Sequence, residues 1–238
     1  MEARQEAVSA PQITLTAKYI PLVAPFMATK DMRYYLCGIN VRPHKDGGVL
    51  IAATNGHVLA LAYDREGSVD GEYILHIDQR TVAACSGRKP GLKLTLLNGR
   101  MTVMSDAEEL CVQAGSPFIE GNYPNYSNVV PASDALKPGL VGGFDSAYIA
   151  IIDKVVSVAR KSGLALRPAV TFFSVGGSPT LPAVARLTGF DDFLAVLMPM
   201  RGDPIDQPIP LWVAANAPVD DAASPAPAAA EPAEQAAA

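Results

Sequence analysis

The sequence predicts an α+β fold in which helices and antiparallel strands alternate as repeated half units. Three observations carry that expectation. Apolar runs of strand length are joined by tight-turn sequences, Asp46-Gly47-Gly48 and Asn98-Gly99. One segment, residues 145–161, has a helical apolar stripe with a capping residue at its head. The order helix-then-strands occurs twice within residues 13–116 and begins again at residue 145.

Taken in order, residues 1–12 read as a loose arm. Over residues 13–28 the apolar Leu15, Tyr19, Leu22, Val23 and Phe26 recur at helical spacing, while Pro21 and Pro25 predict a short or kinked helix. A strand is expected over 34–42, a turn at 44–48, and a strand over 49–63 with a bulge or break at Asn55-Gly56. Residues 72–77 read as a strand and 78–86 as a helix, with Asp78 its N-cap and Gly87 its stop. Three strands come next, at 93–97, 100–104 and 109–114. Residues 117–131, rich in Pro, Asn and Tyr, form a linker.

Residues 140–144 are expected as a strand. The helix over 145–161 starts on Asp145, turns Tyr148, Ile149, Ile152, Val155, Val156 and Ala159 inward, and stops at Gly163. Strands are expected over 169–175, 183–189 and 193–198. Residues 217–238 are half alanine, interspersed with Pro and acidic residues, a composition that cannot bury a core and predicts disorder.

The chain has 238 residues, 49% of them apolar, enough for one or two domains with a real core. No apolar run is long enough to span a bilayer, and the polar start Met1-Glu2-Ala3-Arg4 lacks the apolar stretch of a signal peptide, so a cytoplasmic location is expected. Cys37, Cys85 and Cys111 have no metal-binding spacing and read as reduced, mostly buried thiols. The net charge of −5 argues against indiscriminate nucleic-acid binding but permits a local basic face.

Catalysis finds little support. His44, His57 and His76 are scattered, with no partner at a metal-ligand spacing. No nucleophile elbow and no phosphate-binding loop occur. No cofactor and no metal are expected, and His57 reads as a turn or pocket residue.

Four segments far apart in the chain carry a more specific signal: Arg33-Tyr34-Tyr35-Leu36, Ala53-Thr54-Asn55-Gly56-His57-Val58-Leu59-Ala60, Tyr123-Pro124-Asn125-Tyr126 with Val129-Val130-Pro131, and Val196-Leu197-Met198-Pro199-Met200-Arg201. In this order and at these separations they resemble the β subunit of bacterial DNA polymerase III, the β sliding-clamp family. The resemblance runs over residues 13–201. It implies the DNA-clamp fold, with 13–131 a complete clamp-like domain, 132–201 the second half of another, and 202–238 a Pro- and Ala-rich tail. It also implies a non-enzymatic processivity factor of DNA replication that encircles double-stranded DNA and tethers a DNA polymerase, a clamp loader or other clamp-motif proteins. The family's first domain and half of its last have no counterpart. A ring of twelve half units would then take four such chains, a homo-oligomer.

Carried over by motif, the family's hydrophobic partner-peptide pocket would draw Leu36 from the first segment. The second would supply Thr54, Gly56, His57, Val58 and Leu59. The third would supply Pro124 and Val129, and the fourth Val196, Met198, Pro199, Met200 and Arg201. Methionines suit a surface that accepts varied peptides. Val58 stands where the family commonly has Arg, and Asn55 where it commonly has Asp. The plainer reading of these residues is ordinary core and turn.

The family's DNA-facing surface would comprise Lys18, Lys30, Arg33, Tyr34 and Tyr35 around the first helix, Arg80, Arg88 and Lys89 around the second, and Lys154, Arg160 and Lys161 on the third. Such cations would meet phosphates without reading bases, and a tyrosine could stack on an exposed base. Solvated surface charge is the simpler reading of each, and Asp31, Asp78 and Asp153 dilute the patches. The alternative function is a clamp-like adaptor or decoy that binds clamp-interacting proteins without encircling DNA. Beyond Arg201, Gln207 with Leu211-Trp212 is similar to the peptides that dock in clamp pockets and is a candidate self-masking segment; Trp212 packing on the last sheet is the plainer reading.

Overall fold

Ile13 and Leu15 are buried and alternate with Thr14 and Thr16, the two-residue period of a strand rather than the start of a helix. The computed structural model, which describes residues 11–86, 91–105, 109–114, 116–164 and 169–201, makes this segment β1 (Ile13–Thr16). The expected helix is confined to the residues after Thr16 and is broken. A 3-10 turn (Ala17–Tyr19), α1 (Ile20–Val23) and a second 3-10 turn (Ala24–Phe26) succeed one another. Pro21 and Pro25 each fall in a first turn, where the missing N–H has no partner to lose.

The expected strand over 34–42 begins later. Asp31 Oδ1 accepts from the Arg33 N–H at 2.8 Å and starts a turn, so Tyr34–Cys37 coils as a 3-10 turn and β2 is Ile39–Pro43. The expected strand over 49–63 is two strands, β3 (Val49–Thr54) and β4 (Val58–Asp64). Asn55 Oδ1 accepts from the N–H groups of His57 and Val58, and Gly56 sits at φ +92°, so Asn55-Gly56 is a full reversal rather than a bulge. β5 (Ser68–Val69) and β6 (Tyr73–Leu75) come after it. α2 (Gln79–Ala84) is capped by Asp78, whose side chain accepts from the Thr81 N–H. Its expected stop, Gly87, lies outside the described residues.

β7 (Lys93–Leu97), β8 (Arg100–Met104) and β9 (Glu109–Ala114) fall where the sequence puts them, with Asn98 and Gly99 both at positive φ in the turn. The expected strand over 140–144 is absent. Its place in the ladder is taken by β10 (Leu136–Pro138), because Gly139 and Gly142, both at positive φ, end the extended run. α3 (Ser146–Lys161) is capped by Asp145 and leads to β11 (Val170–Val175), β12 (Ala183–Leu187) and β13 (Phe190–Leu197).

Two antiparallel sheets result. The five-stranded one runs β5-β1-β7-β8-β9, and the eight-stranded one β10-β11-β12-β13-β4-β3-β2-β6. The second depends on a pairing distant in sequence, β13 against β4, in register from Phe193↔Ala62 to Leu197↔Val58. One core joins both sheets to the helices. Leu15, Leu94 and Met101 come from the smaller sheet, Val41, Ile51, Ala60 and Ala195 from the larger, and Phe26, Ile152, Val155 and Ala159 from the helical segments. Fully burying one of the Val, Leu, Ile, Met or Phe side chains among these contributes about 1.5–3 kcal/mol.

The larger sheet is also covered on its other face. Residues 117–136 cross it as a strap. The His76 N–H donates to Pro117 O at 2.7 Å and the Ile119 N–H to Ile74 O at 2.9 Å, which covers the β6 edge. Tyr126, 5% exposed, then packs with Ala52, Leu59, Val184 and Val196.

A buried carboxylate ties the two sheets together. Asp64, at the end of β4 and 1% exposed, accepts from the N–H and hydroxyl of Thr16 in β1 and from the Glu66 N–H. Asp64→Ala should destabilise the fold by about 2–4 kcal/mol, because it leaves buried donors unpaired. Urea unfolding measures the change, and a loss within the scatter of an exposed-site control such as Glu66→Ala would show that Thr16 finds another acceptor.

Candidate peptide-binding site

Where β4 and β13 pair, their ends bring two of the sequence segments together. The Met198 N–H donates to His57 O at 2.9 Å, which extends the ladder one step past β13. The Met200 N–H donates to Gly143 O at 2.8 Å and fixes the chain against the loop before α3. Met198 and Met200 are left 38% and 59% exposed, beside an exposed His57 whose ring stacks on Tyr148 of α3 at 5.9 Å.

The turn beneath them is fixed by local hydrogen bonds. Thr54 Oγ1 donates to Val58 O at 2.7 Å and accepts from the Gly56 N–H at 3.0 Å. Glycine is favoured at 56: its φ is one that L side chains rarely adopt, and a Cβ there would press on the Arg33 guanidinium at 3.1 Å. Arg33 forms a fork on Asp31, Nε to Oδ1 at 3.0 Å and Nη2 to Oδ2 at 2.7 Å. Those bonds hold the Asp31 carboxyl down at about 2.

The third segment reaches the same region through the strap. The Thr54 N–H donates to Tyr123 Oη at 3.0 Å, where β3 has run past the end of β2. Burial pushes the Tyr123 phenol up strongly and that of Tyr126 up to about 12. Pro124 and Val129 lie exposed on the strap.

The expected pocket residues therefore divide. Gly56, His57, Pro124, Val129, Met198, Met200 and Arg201 are exposed, and Pro199 is half-buried. Leu36, Val58, Leu59 and Val196 are buried, as is Thr54 at 8% exposure. Leu59 and Val196 face the strap, while Val58 faces the main core. Asp31, Tyr123, Gly143 and Tyr148 are supporting residues that sequence reasoning does not assign here. The spacing of Tyr148 puts it in the inward stripe of its helix, and Asp31 reads in sequence only as diluting positive charge.

The described residues among those expected to face DNA sit on or beside helices that share one core. Lys18 is half-buried with its Nζ 5.0 Å over the Tyr19 ring, and Lys30 and Arg80 are exposed. Lys154 is exposed on α3, and Arg160 and Lys161 occupy its last turn, where cations complement the helix dipole. Tyr34 is 57% exposed and meets Tyr35 edge-on at 6.0 Å. Arg33 lies against the Asn55-Gly56 turn. Arg88 and Lys89 lie outside the described residues, as does the segment from Gln207 to Trp212. Of the cysteines, Cys85 is buried, which pushes its thiol up to about 12, and Cys37 is half-buried; the side chain of Cys111 is outside the description. Among the described residues no group of three or more His, Cys, Asp or Glu side chains comes together to hold a metal. No helix among them is long and apolar enough to cross a membrane.

Two antiparallel sheets with helices against one core, the larger sheet joining β10–β13 to earlier strands, make an α+β architecture. Solved structures agree: the fold is that of the bacterial DNA polymerase III β sliding clamps. The sliding clamp of Pseudomonas aeruginosa, solved with a ligand, matches with a TM-score of 0.58 at 16% identity, over 85% of this chain and 69% of that one. The β subunit of Caulobacter crescentus matches with a TM-score of 0.55 at 18% identity, over 85% and 69%. The sliding clamp of Bartonella birtlesii, solved bound to griselimycin, matches with a TM-score of 0.54 at 15% identity, again over 85% and 69%. No protein-family model matches the sequence, and no curated protein matches it.

The Asp31–Arg33 fork yields a pH prediction. Asp31 has a lowered pKa, so its pairing is complete above the ordinary carboxylate range and is lost as pH falls through about 2. Carboxyl-resonance NMR should find a midpoint near that value, and Arg33→Ala should return it towards the unperturbed value of about 3.9. An unchanged midpoint in the variant would mean that the Arg33 side chain does not hold Asp31.

Proposed function

We propose that this protein is a non-enzymatic, sliding-clamp-like processivity factor of DNA replication. In this reading residues 13–131 form a complete clamp domain and residues 132–201 half of a second. Chains associate edge to edge around duplex DNA, and the helix-borne cations face its phosphates. The six-residue edge strand β9 and the short edge strand β10 are the joints offered to neighbouring chains. A polymerase or another clamp-motif protein docks through a short peptide at the end where β4, the strap and the segment after β13 meet.

The observation that carries this reading is the union of Met198 and Met200 with the His57 turn. Two exposed, adaptable thioether side chains stand on hydrogen-bonded backbone beside a stacked His57–Tyr148 pair. Such a surface gives an apolar peptide end a rigid floor and movable walls. A second reading, a non-encircling adaptor or decoy, draws on the 69% of the Pseudomonas clamp that the match covers. In this reading the docking end acts without ring closure.

Two measurements test the proposal. A labelled peptide carrying Gln and a Leu-Phe end should bind the full chain, and the double variant Met198→Ala with Met200→Ala should weaken it about tenfold or more. Equal affinity in the variant would remove the docking site from this end. Light scattering across a concentration series should give a stable oligomer of four chains, retained on nicked circular DNA and released when the circle is cut. A persistent monomer would overturn the ring and leave the adaptor.

A further inference from the structure

We propose that the cavity between the β2–β6 edge and residues 118–123 is a binding site for an alkyl guanidinium, the group at the end of an arginine side chain. The cavity, about 510 Å³, is lined on one side by Asn40, Glu72 and Tyr73 and on the other by Phe118, Glu120 and Tyr123. It lies apart from Met198–Arg201, and although Tyr123 also supports the Thr54 turn, the inference does not rest on the clamp reading.

Asn40 carries the argument. It is fully buried, and its Nδ2 donates to Glu72 Oε1 at 2.9 Å. That bond fixes the amide's orientation, because the flipped arrangement would set a carbonyl oxygen against a carboxylate. Oδ1 therefore points away from Glu72, and among the described residues it accepts no hydrogen bond. A buried amide oxygen in that state costs free energy, which a donor brought to it would recover.

The rest of the lining selects the donor's chemistry. Glu72 and Glu120 are exposed carboxylates, and the Tyr73 and Phe118 rings stand tilted with centroids 5.1 Å apart. Among the described residues no Lys or Arg lines the cavity. Arg42, on the same strand as Asn40, has its guanidinium 4.7 Å from the Tyr126 ring centroid and is engaged there. Acceptors combined with aromatic faces suit a planar cation that stacks and donates in a fork. A hard metal ion needs more oxygen ligands than these two carboxylates and one amide provide, and a cavity of this volume is of ligand size.

The test titrates the isotope-labelled full chain with ethylguanidinium, with the capped tripeptide acetyl-Gly-Arg-Gly-amide, and with uncharged ethylurea. Saturating NMR shifts at the amides of residues 118–123 and at the Asn40 side-chain amide are expected with a charged ligand. Glu72→Gln, which removes the charge but keeps an acceptor for the Asn40 amide, should weaken that binding about tenfold, the loss of one charge-assisted hydrogen bond. Saturation by the tripeptide makes the source a peptide, and saturation by ethylguanidinium alone makes it a free cation. No saturation by either, equal shifts with ethylurea, or unchanged affinity in Glu72→Gln would overturn the proposal.

Discussion

The pairing of β13 with β4 is the constraint on which the remaining architecture depends. Five registered residue pairs turn two groups of strands into one eight-stranded sheet. The same register sets Phe193 against Phe26, with ring centroids 6.3 Å apart. It also brings Asp192 to Tyr19 and Arg65, whose side chains both donate to it. At the far end it delivers Met198 to the His57 turn. Remove the pairing and the larger core, the strap's floor and the proposed docking end lose their shared reference at once.

Central strands of this sheet are buried on both faces. Neighbouring residues go to different apolar clusters: Ala53, Val58 and Leu197 to the core around the helices, Ala52, Leu59 and Val196 to the layer under the strap. That is why these strands are almost continuously apolar in sequence rather than alternating. Two polar groups of this framework stand where strands end. Asp64 ties β4 to β1, and the Tyr123 hydroxyl accepts the Thr54 N–H where β2 stops short.

Much of this is legible in the sequence because it is encoded locally. Asn98-Gly99 marks a hairpin, and Asp78 and Asp145 mark helix starts that the structure keeps. The failures have identifiable local causes: a competing period, a turn hydrogen bond or a glycine dihedral. Ile13–Thr16 falls inside a helical spacing that its own two-residue period contradicts. The run after Gly139 looks extended but is bent by positive φ. The candidate site is legible as four separated segments, whereas its internal geometry is not. That His57 stacks on Tyr148 results from tertiary placement that no spacing reveals, while the commitment of Arg33 to Asp31, two residues away, belongs to a local turn whose geometry the sequence does not spell out.

The β13–β4 register also has a consequence for how the chain reaches its native state. Val58 and Leu197 are paired although roughly 140 residues separate them, so closing that loop costs entropy before any sheet contact repays it. During synthesis β4, with the sequence Val58-Leu59-Ala60-Leu61-Ala62, is made long before its partner. Until β13 emerges, one side of an apolar strand stands as an open edge. Assembly of this sheet is therefore a late folding event, and the nascent chain is most exposed to misassociation at the strand that later holds the molecule together.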